Sequence, residues 1–159
     1  MKQKELSNWL RAIVIIIGLT VLFLSVVFVP NIGRAFVEEI PEMKNMFWPC
    51  LLYVWVTVIP VLIALVLGWF IFSEIGADNS FCAANARRLK YICYLAVFDT
   101  LLYIASAFIL AALNYLHPGV LVIIMCVVFM GVAMSVAAAA LSHLTKKAAD
   151  LKSENELTI

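Results

Sequence analysis

Among the groups that could do chemistry in this 159-residue sequence, Asp99 stands apart. It is the only charged residue in the run from Tyr91 to Leu113. It lies nine residues past Lys90, or about 13 Å along a helix rising 1.5 Å per residue. A carboxylate near the bilayer middle costs at least about 2.5–3.5 kcal/mol on insertion scales. Asp99 is therefore expected to face the interior of a helix bundle, where no basic residue within any apolar run can pair with it. Counting depth from the nearest charged anchor offers neutral partners: Thr20, nine residues past Arg11, and Ser135, eleven before Lys146. Thr100 and Tyr103 are local alternatives. Two readings follow, a neutral hydrogen-bonded structural acid or a proton- or ligand-responsive site.

Other chemistry is sparse. The sequence has no glycine-rich phosphate loop, no Gly-x-Ser-x-Gly elbow and no His-Glu-x-x-His. His117 and His143 fall at opposite membrane faces and cannot share a metal. Cys50, Cys82, Cys93 and Cys126 show no Cys-x-x-Cys spacing and read as packing residues. No catalytic residue, metal or cofactor is expected, and the chain reads as a non-enzyme.

The elements that must carry these residues follow from composition. Hydrophobic residues make up 65% and charged residues 13%, against about 45–50% and about 25% in soluble domains. A soluble enzyme of this length has no surface for that excess. A net charge of +1 argues against direct nucleic-acid binding and against an acidic disordered tail. Four apolar runs reach the roughly 20 residues a span needs, at about 10–29, 46–72, 91–113 and 119–141, followed by a cytoplasmic helix extension and tail over 142–159. In lipid such runs must be helices. The fold class is all-α: a polytopic membrane protein, a single four-transmembrane-helix bundle. Nine basic residues fall at the termini and the second loop, and only Arg34 and Lys44 on the other side. The positive-inside rule then puts both termini in the cytoplasm, with Trp9 and Trp69 at the inner interface and Trp48 at the outer one. The long first run and the absence of a small-residue cleavage site read as a retained helix rather than a signal peptide.

The connections carry signals of their own. Ile32, Phe36, Val37 and Ile40 share one helical face opposite Arg34, Glu38 and Glu39, which predicts a short helix lying in the outer interface. It would tie two helix ends together or act as a ligand-sensing lid. Asp78-Asn79-Ser80 predicts N-caps that start the third helix near Ser80. Pro118-Gly119 suits the centre of a type II turn. Pro60 is expected to kink the second helix. Small residues spaced by four, Gly131-Ser135-Ala139 and Pro60-Ala64-Gly68, allow close helix approach. No internal repeat of the kind found in inverted-repeat transporters is visible.

Two segments at the basic end carry a resemblance. One is the second loop from Asp78 to Lys90, with Phe81, Asn85, Leu89 and Lys90. The other is the tail ending Glu154-Asn155-Glu156-Leu157-Thr158-Ile159. With four spans, they resemble the bacterial membrane family catalogued as domain of unknown function 2975. Its second loop reads roughly Phe-x-x-x-Asn-x-x-x-Leu-Arg and its tail Glu-Asn-Asp-Leu-Thr-Ile. Here Lys90 replaces the Arg and Glu156 the Asp, while Cys82 follows Phe81 where Pro or Ser is usual. The resemblance implies no catalytic residues. By association it implies a multi-pass protein of the bacterial inner membrane that partners a small cytoplasmic helix-turn-helix DNA-binding regulator. The interaction candidates are Phe81, Asn85, Arg87, Arg88, Lys90, Glu154, Asn155, Glu156, Leu157 and Ile159. The tail is expected to turn at Asn155 and dock Leu157 and Ile159 against the start of the third helix, its carboxylates facing Arg87 and Arg88. The alternatives are a small proton-linked transporter, a homo-oligomer surrounding Asp99 with Thr20, Ser135 and Tyr103, and a membrane immunity protein using the outer lid.

Overall fold

Apolar backbone that cannot bond to lipid bonds to itself, and the four apolar runs accordingly form four long helical rods. The computed structural model describes residues 3–39 and 41–157. The first rod joins α1 (Gln3–Phe23), one π-helical turn (Leu24–Phe28) and α2 (Val29–Glu39) without a break. A 3₁₀ turn over Pro41–Met46 leads into α3 (Phe47–Gly76). Then come α4 (Ala83–Ala112) and α5 (Pro118–Leu157). All four rods are long and apolar enough to cross a membrane. The protein is a four-span helical membrane bundle.

The short helix expected around Ile32–Ile40 is present as α2, but it is a continuation of the first span rather than a separate lid. The π turn explains why Pro30 does not break it. The Val29 N–H reaches back five residues to the Leu24 carbonyl, so in that register Pro30 would serve the Ser25 carbonyl. Proline has no N–H to give. The Trp55 indole of α3 donates to Ser25 O instead, at 3.0 Å. The slip in register thus converts a missing helical bond into a tie between spans. Phe36 meets the His117 ring edge-on at 6.4 Å, and a Cβ on Gly33 would press on Phe47 at 2.9 Å. Ile40, the last residue of the predicted stripe, lies outside the described residues.

Both reversals are closed by left-handed residues. Asp78 and Asn114 each have φ of 59°. After α3, the Asn79 N–H bonds to Glu74 O and the Asp78 N–H to Ile75 O. After α4, the Tyr115 N–H bonds to Leu110 O and the Asn114 N–H to Ala111 O. Each is a Schellman closure, with Asp or Asn taking the place usually held by Gly. This corrects two expectations. Asp78 ends α3 rather than capping α4, which begins at Ala83 behind Cys82 with no side-chain cap. Pro118 and Gly119 do not form a type II turn. They open α5, where proline's fixed φ suits the first helical position, and the Gly119 N–H donates to His117 Nδ1 at 3.2 Å.

Packing runs in chain order: α1 on α3, α3 on α4, α4 on α5. Among the described residues no close backbone approach joins α1 to α4 or α5, or α3 to α5. The bundle is therefore open, and α3 and α5 flank α4 as the walls of a trough. Close approaches hold each seam. The Ser7 hydroxyl donates to Phe72 O at 2.6 Å, a contact that requires Gly76, whose Cβ would stand 2.7 Å from that hydroxyl. Thr100 packs onto Gly131 so closely that any Cβ there would overlap it. Ser142 donates to Ala86 O at 2.7 Å. Gly131 and Ser135 of the small-residue stripe on α5 are thus used inside the protein, whereas Ala139 is exposed. α3 runs unbroken through the buried Pro60.

The tail does not turn at Asn155. α5 continues through Leu157. Lys, Leu and Glu propagate a helix well, Ser153 donates back to Asp150 O at 2.7 Å, and no glycine follows Gly131. Ile159 lies outside the described residues.

Candidate functional site

Two polar clusters interrupt the apolar rods. The first is at mid-span. Tyr53 and Thr57 are one turn apart on α3, and Asp99 and Tyr103 one turn apart on α4, so each pair shares a helix face. Thr57 donates to Val54 O at 2.9 Å, which leaves the Tyr103 hydroxyl to donate to Thr57 Oγ1 at 3.0 Å. The Tyr53 and Tyr103 rings meet edge-to-face at 6.0 Å. The Asp99 carboxyl lies close enough for its charge to act on both phenols. Asp99 Oδ1 and the Tyr53 hydroxyl are buried without a well-formed hydrogen bond.

Asp99 also lines the trough between α3 and α5, a cavity of about 390 Å³. Pro60 and Ala64 form one wall, Ala96 the floor, and Met130, Gly131 and Met134 the other wall. No Lys, Arg or His lines it.

Neither residue matched to Asp99 by depth joins it; of the local alternatives, Tyr103 shares its helix face and Thr100 lines the same trough. Thr20 is exposed on α1, which does not reach α4, and donates to its own Ile16 O at 2.8 Å. Ser135 is buried on α5 and donates to Gly131 O at 2.7 Å. Thr100 donates to Ala96 O at 2.7 Å. Equal depth places residues at one level but does not say which helices are neighbours. Sequence reasoning missed Tyr53 and Thr57. Their signal was a polar pair spaced by four in an otherwise apolar span, repeated by Asp99 and Tyr103.

The second cluster lies at the end of the bundle that carries the termini. Asn85 is 0% exposed. Its Nδ2 donates to Ser80 O at 3.0 Å and its Oδ1 accepts from Arg88 at 2.8 Å. Arg88 pairs with Glu74 at 3.5 Å and stacks over Phe70 at 5.5 Å. Asn79 donates to Glu74 Oε2 at 3.3 Å. Asn85 and Arg88, expected on an interaction face, instead staple the α3–α4 loop to both helices. Phe81, at 59% exposed, and Arg87 and Lys90 do face outward, and Lys90 rests over the Tyr94 ring at 5.6 Å. Glu154 and Asn155 sit on the last turns of α5, far along the chain from the loop they were expected to meet; both make interactions within the structure. Glu74 was missed, although an acid at the foot of an apolar span facing a basic loop was a readable signal.

Other hollows and the cysteines lie away from these clusters. A space of about 500 Å³ beside α2 carries Arg34, Glu38 and Lys44. Another of about 390 Å³ between α1 and α3 carries Lys4 and Arg11, and Arg11 stacks on Trp69 at 5.4 Å. All four cysteines are unpaired, with Cys50 and Cys126 on exposed faces rather than packed inside.

The Asn85-centred loop and the long α5 occur on a chain whose residues 31–159 match the family described as "Protein of unknown function (DUF2975)". The chain belongs to this family. It is also 33% identical over 153 residues to "Uncharacterized membrane protein YoaS" of Bacillus subtilis (strain 168), covering 95% of this chain and 96% of the relative. No solved structure matches. The match spans α2 to the end of α5, so it takes in both polar clusters. It agrees with the resemblance read from Phe81, Asn85, Leu89 and the tail.

Proposed function

We propose that this membrane protein is a non-enzymatic regulatory component, anchored in the bacterial inner membrane with both termini in the cytoplasm, that holds a small cytoplasmic helix-turn-helix DNA-binding regulator. The observation that supports this reading is the overhang of α5. Ser142 bonds opposite Ala86, so residues 146–157 extend beyond the first residue of α4 by about 18 Å at 1.5 Å per residue. Leu151 on this stretch and Leu144 just before it are 54% and 61% exposed, flanked by exposed Lys146, Lys147 and Lys152. An apolar stripe of helical spacing with basic flanks suits a helix-in-groove contact. The experiment is co-purification from native membranes of the full chain and of a chain ending at Thr145. A DNA-binding protein that elutes with the first and not the second supports the reading. Its absence from both, with both chains giving normal thermal melts, overturns it.

A second reading has its own observation. Asp99 Oδ1 is buried without a partner beside an open trough, which favours a proton-linked site in an oligomeric transporter. Proton uptake by reconstituted vesicles that is lost in Asp99→Asn would support it. Uptake that persists in the variant would remove it.

A further inference from the structure

The trough between α3 and α5 combines three features seldom found together in lipid. It is roomy, at about 390 Å³, within the size range of small-molecule sites. Its walls are apolar, from Pro60 and Ala64 on α3 to Met130 and Met134 on α5. The one ionisable oxygen-bearing residue lining it is Asp99, whose Oδ1 is buried behind the lining without a hydrogen-bond partner. We infer that this trough is a binding site for a lipophilic organic cation, seated with its apolar body between α3 and α5 and its positive charge against Asp99.

Charge complementarity selects the occupant. No Lys, Arg or His lines the trough, so an anion would find no counter-charge and a neutral polar ligand no strong donor. The titratable groups facing Asp99 from the packed elements are Tyr53 of α3 and Tyr103 of α4, and Cys126 of α5 lines the same trough. None of these carries a positive charge. An ionised carboxylate at this depth is costly alone, and a cation that brings its own apolar shell removes that cost. Because α3 and α5 do not approach each other, the side of the trough away from α4 opens toward lipid, where such a cation partitions. Binding exchanges a proton for the cation: the neutral acid gives up its proton to solvent and the carboxylate pairs with the ligand. The inference rests on the reading of Asp99 as a responsive group, but binding needs neither transport nor an oligomer.

The test uses the full chain in lipid nanodiscs and tetraphenylphosphonium as probe, read by isothermal titration against empty nanodiscs. Saturable binding is expected. It should weaken at least about tenfold in Asp99→Asn. Ala96→Leu keeps the carboxylate and fills the floor of the trough, so it too should weaken binding. Neutral triphenylphosphine oxide should not compete. Equal binding by wild type and Asp99→Asn, or equal competition by the neutral compound, would show an apolar groove that takes lipid or a second copy and would overturn the inference. Infrared difference spectra of the Asp99 carboxyl across pH separate the two failures. A carboxyl that titrates while no cation binds overturns the cation site and leaves a proton-responsive group. A carboxyl that stays protonated across the whole range removes both.

Discussion

Replacing Asn85 by alanine should destabilise the protein more than removing any exposed charge near it. Asn85 is wholly buried and makes two bonds, one to Ser80 O at 3.0 Å and one from Arg88 at 2.8 Å. Losing a bond to a charged partner costs about 1.5–3 kcal/mol and losing a neutral one about 0.5–1.5 kcal/mol. The expected loss is about 2–4 kcal/mol, nearer the lower figure because Arg88 keeps Glu74 and Phe70 O as partners. The Arg88–Glu74 pair is worth less. Its side chains remain 25% and 32% exposed, and partly solvated pairs contribute about 0–1 kcal/mol. Arg87→Ala, on an exposed face, should change stability by no more than about 0.5 kcal/mol. Thermal unfolding in detergent, followed by loss of monodisperse protein, ranks the three variants: Asn85→Ala lowest, Glu74→Ala intermediate, Arg87→Ala close to wild type. If Asn85→Ala melts with Arg87→Ala, the staple does not hold the loop, and this family-matched asparagine serves a partner instead.

Other outcomes follow from the same geometry. Gly131→Ala should weaken the α4–α5 seam, because its Cβ would overlap Thr100. Gly68→Ala, with nothing within 4 Å of its new Cβ, should raise stability by up to about 1 kcal/mol from helix propensity; the two melts should shift in opposite directions. Trp55→Phe leaves Ser25 O unserved and should cost about 0.5–1.5 kcal/mol, whereas a melt unchanged from wild type would mean that water or lipid headgroups replace the indole. On the proposed topology, a cysteine at Glu39 should react with an impermeant maleimide on intact cells and a reporter after Ile159 should not be reached from outside; labelling of the C-terminus from outside would invert the topology.

What could be read before any coordinates was governed by the solvent. Apolar runs such as Tyr91 to Leu113 leave the backbone no choice but a helix, so four spans and the all-α class were legible in composition and run length alone. Asp99 was legible for the same reason, since one carboxylate in an apolar run is conspicuous whatever surrounds it. The family motif around Asn85 was legible as a pattern, but its role was not: only packing shows that Asn85 bonds inward to Ser80 and Arg88 while Phe81 faces out. Helix neighbours were not legible either. In lipid every span has a similar apolar surface, so depth counting set Thr20 and Ser135 level with Asp99, and only the chain-order packing of α1, α3, α4 and α5 shows which helices are neighbours. Local punctuation misled where two uses compete for one residue. Asp78 suits an N-cap or a left-handed helix end, and Pro118 suits a turn or a first helical position. The tertiary structure decided both, because the length of α3 and the seam of α5 on α4 set where each helix must stop and start.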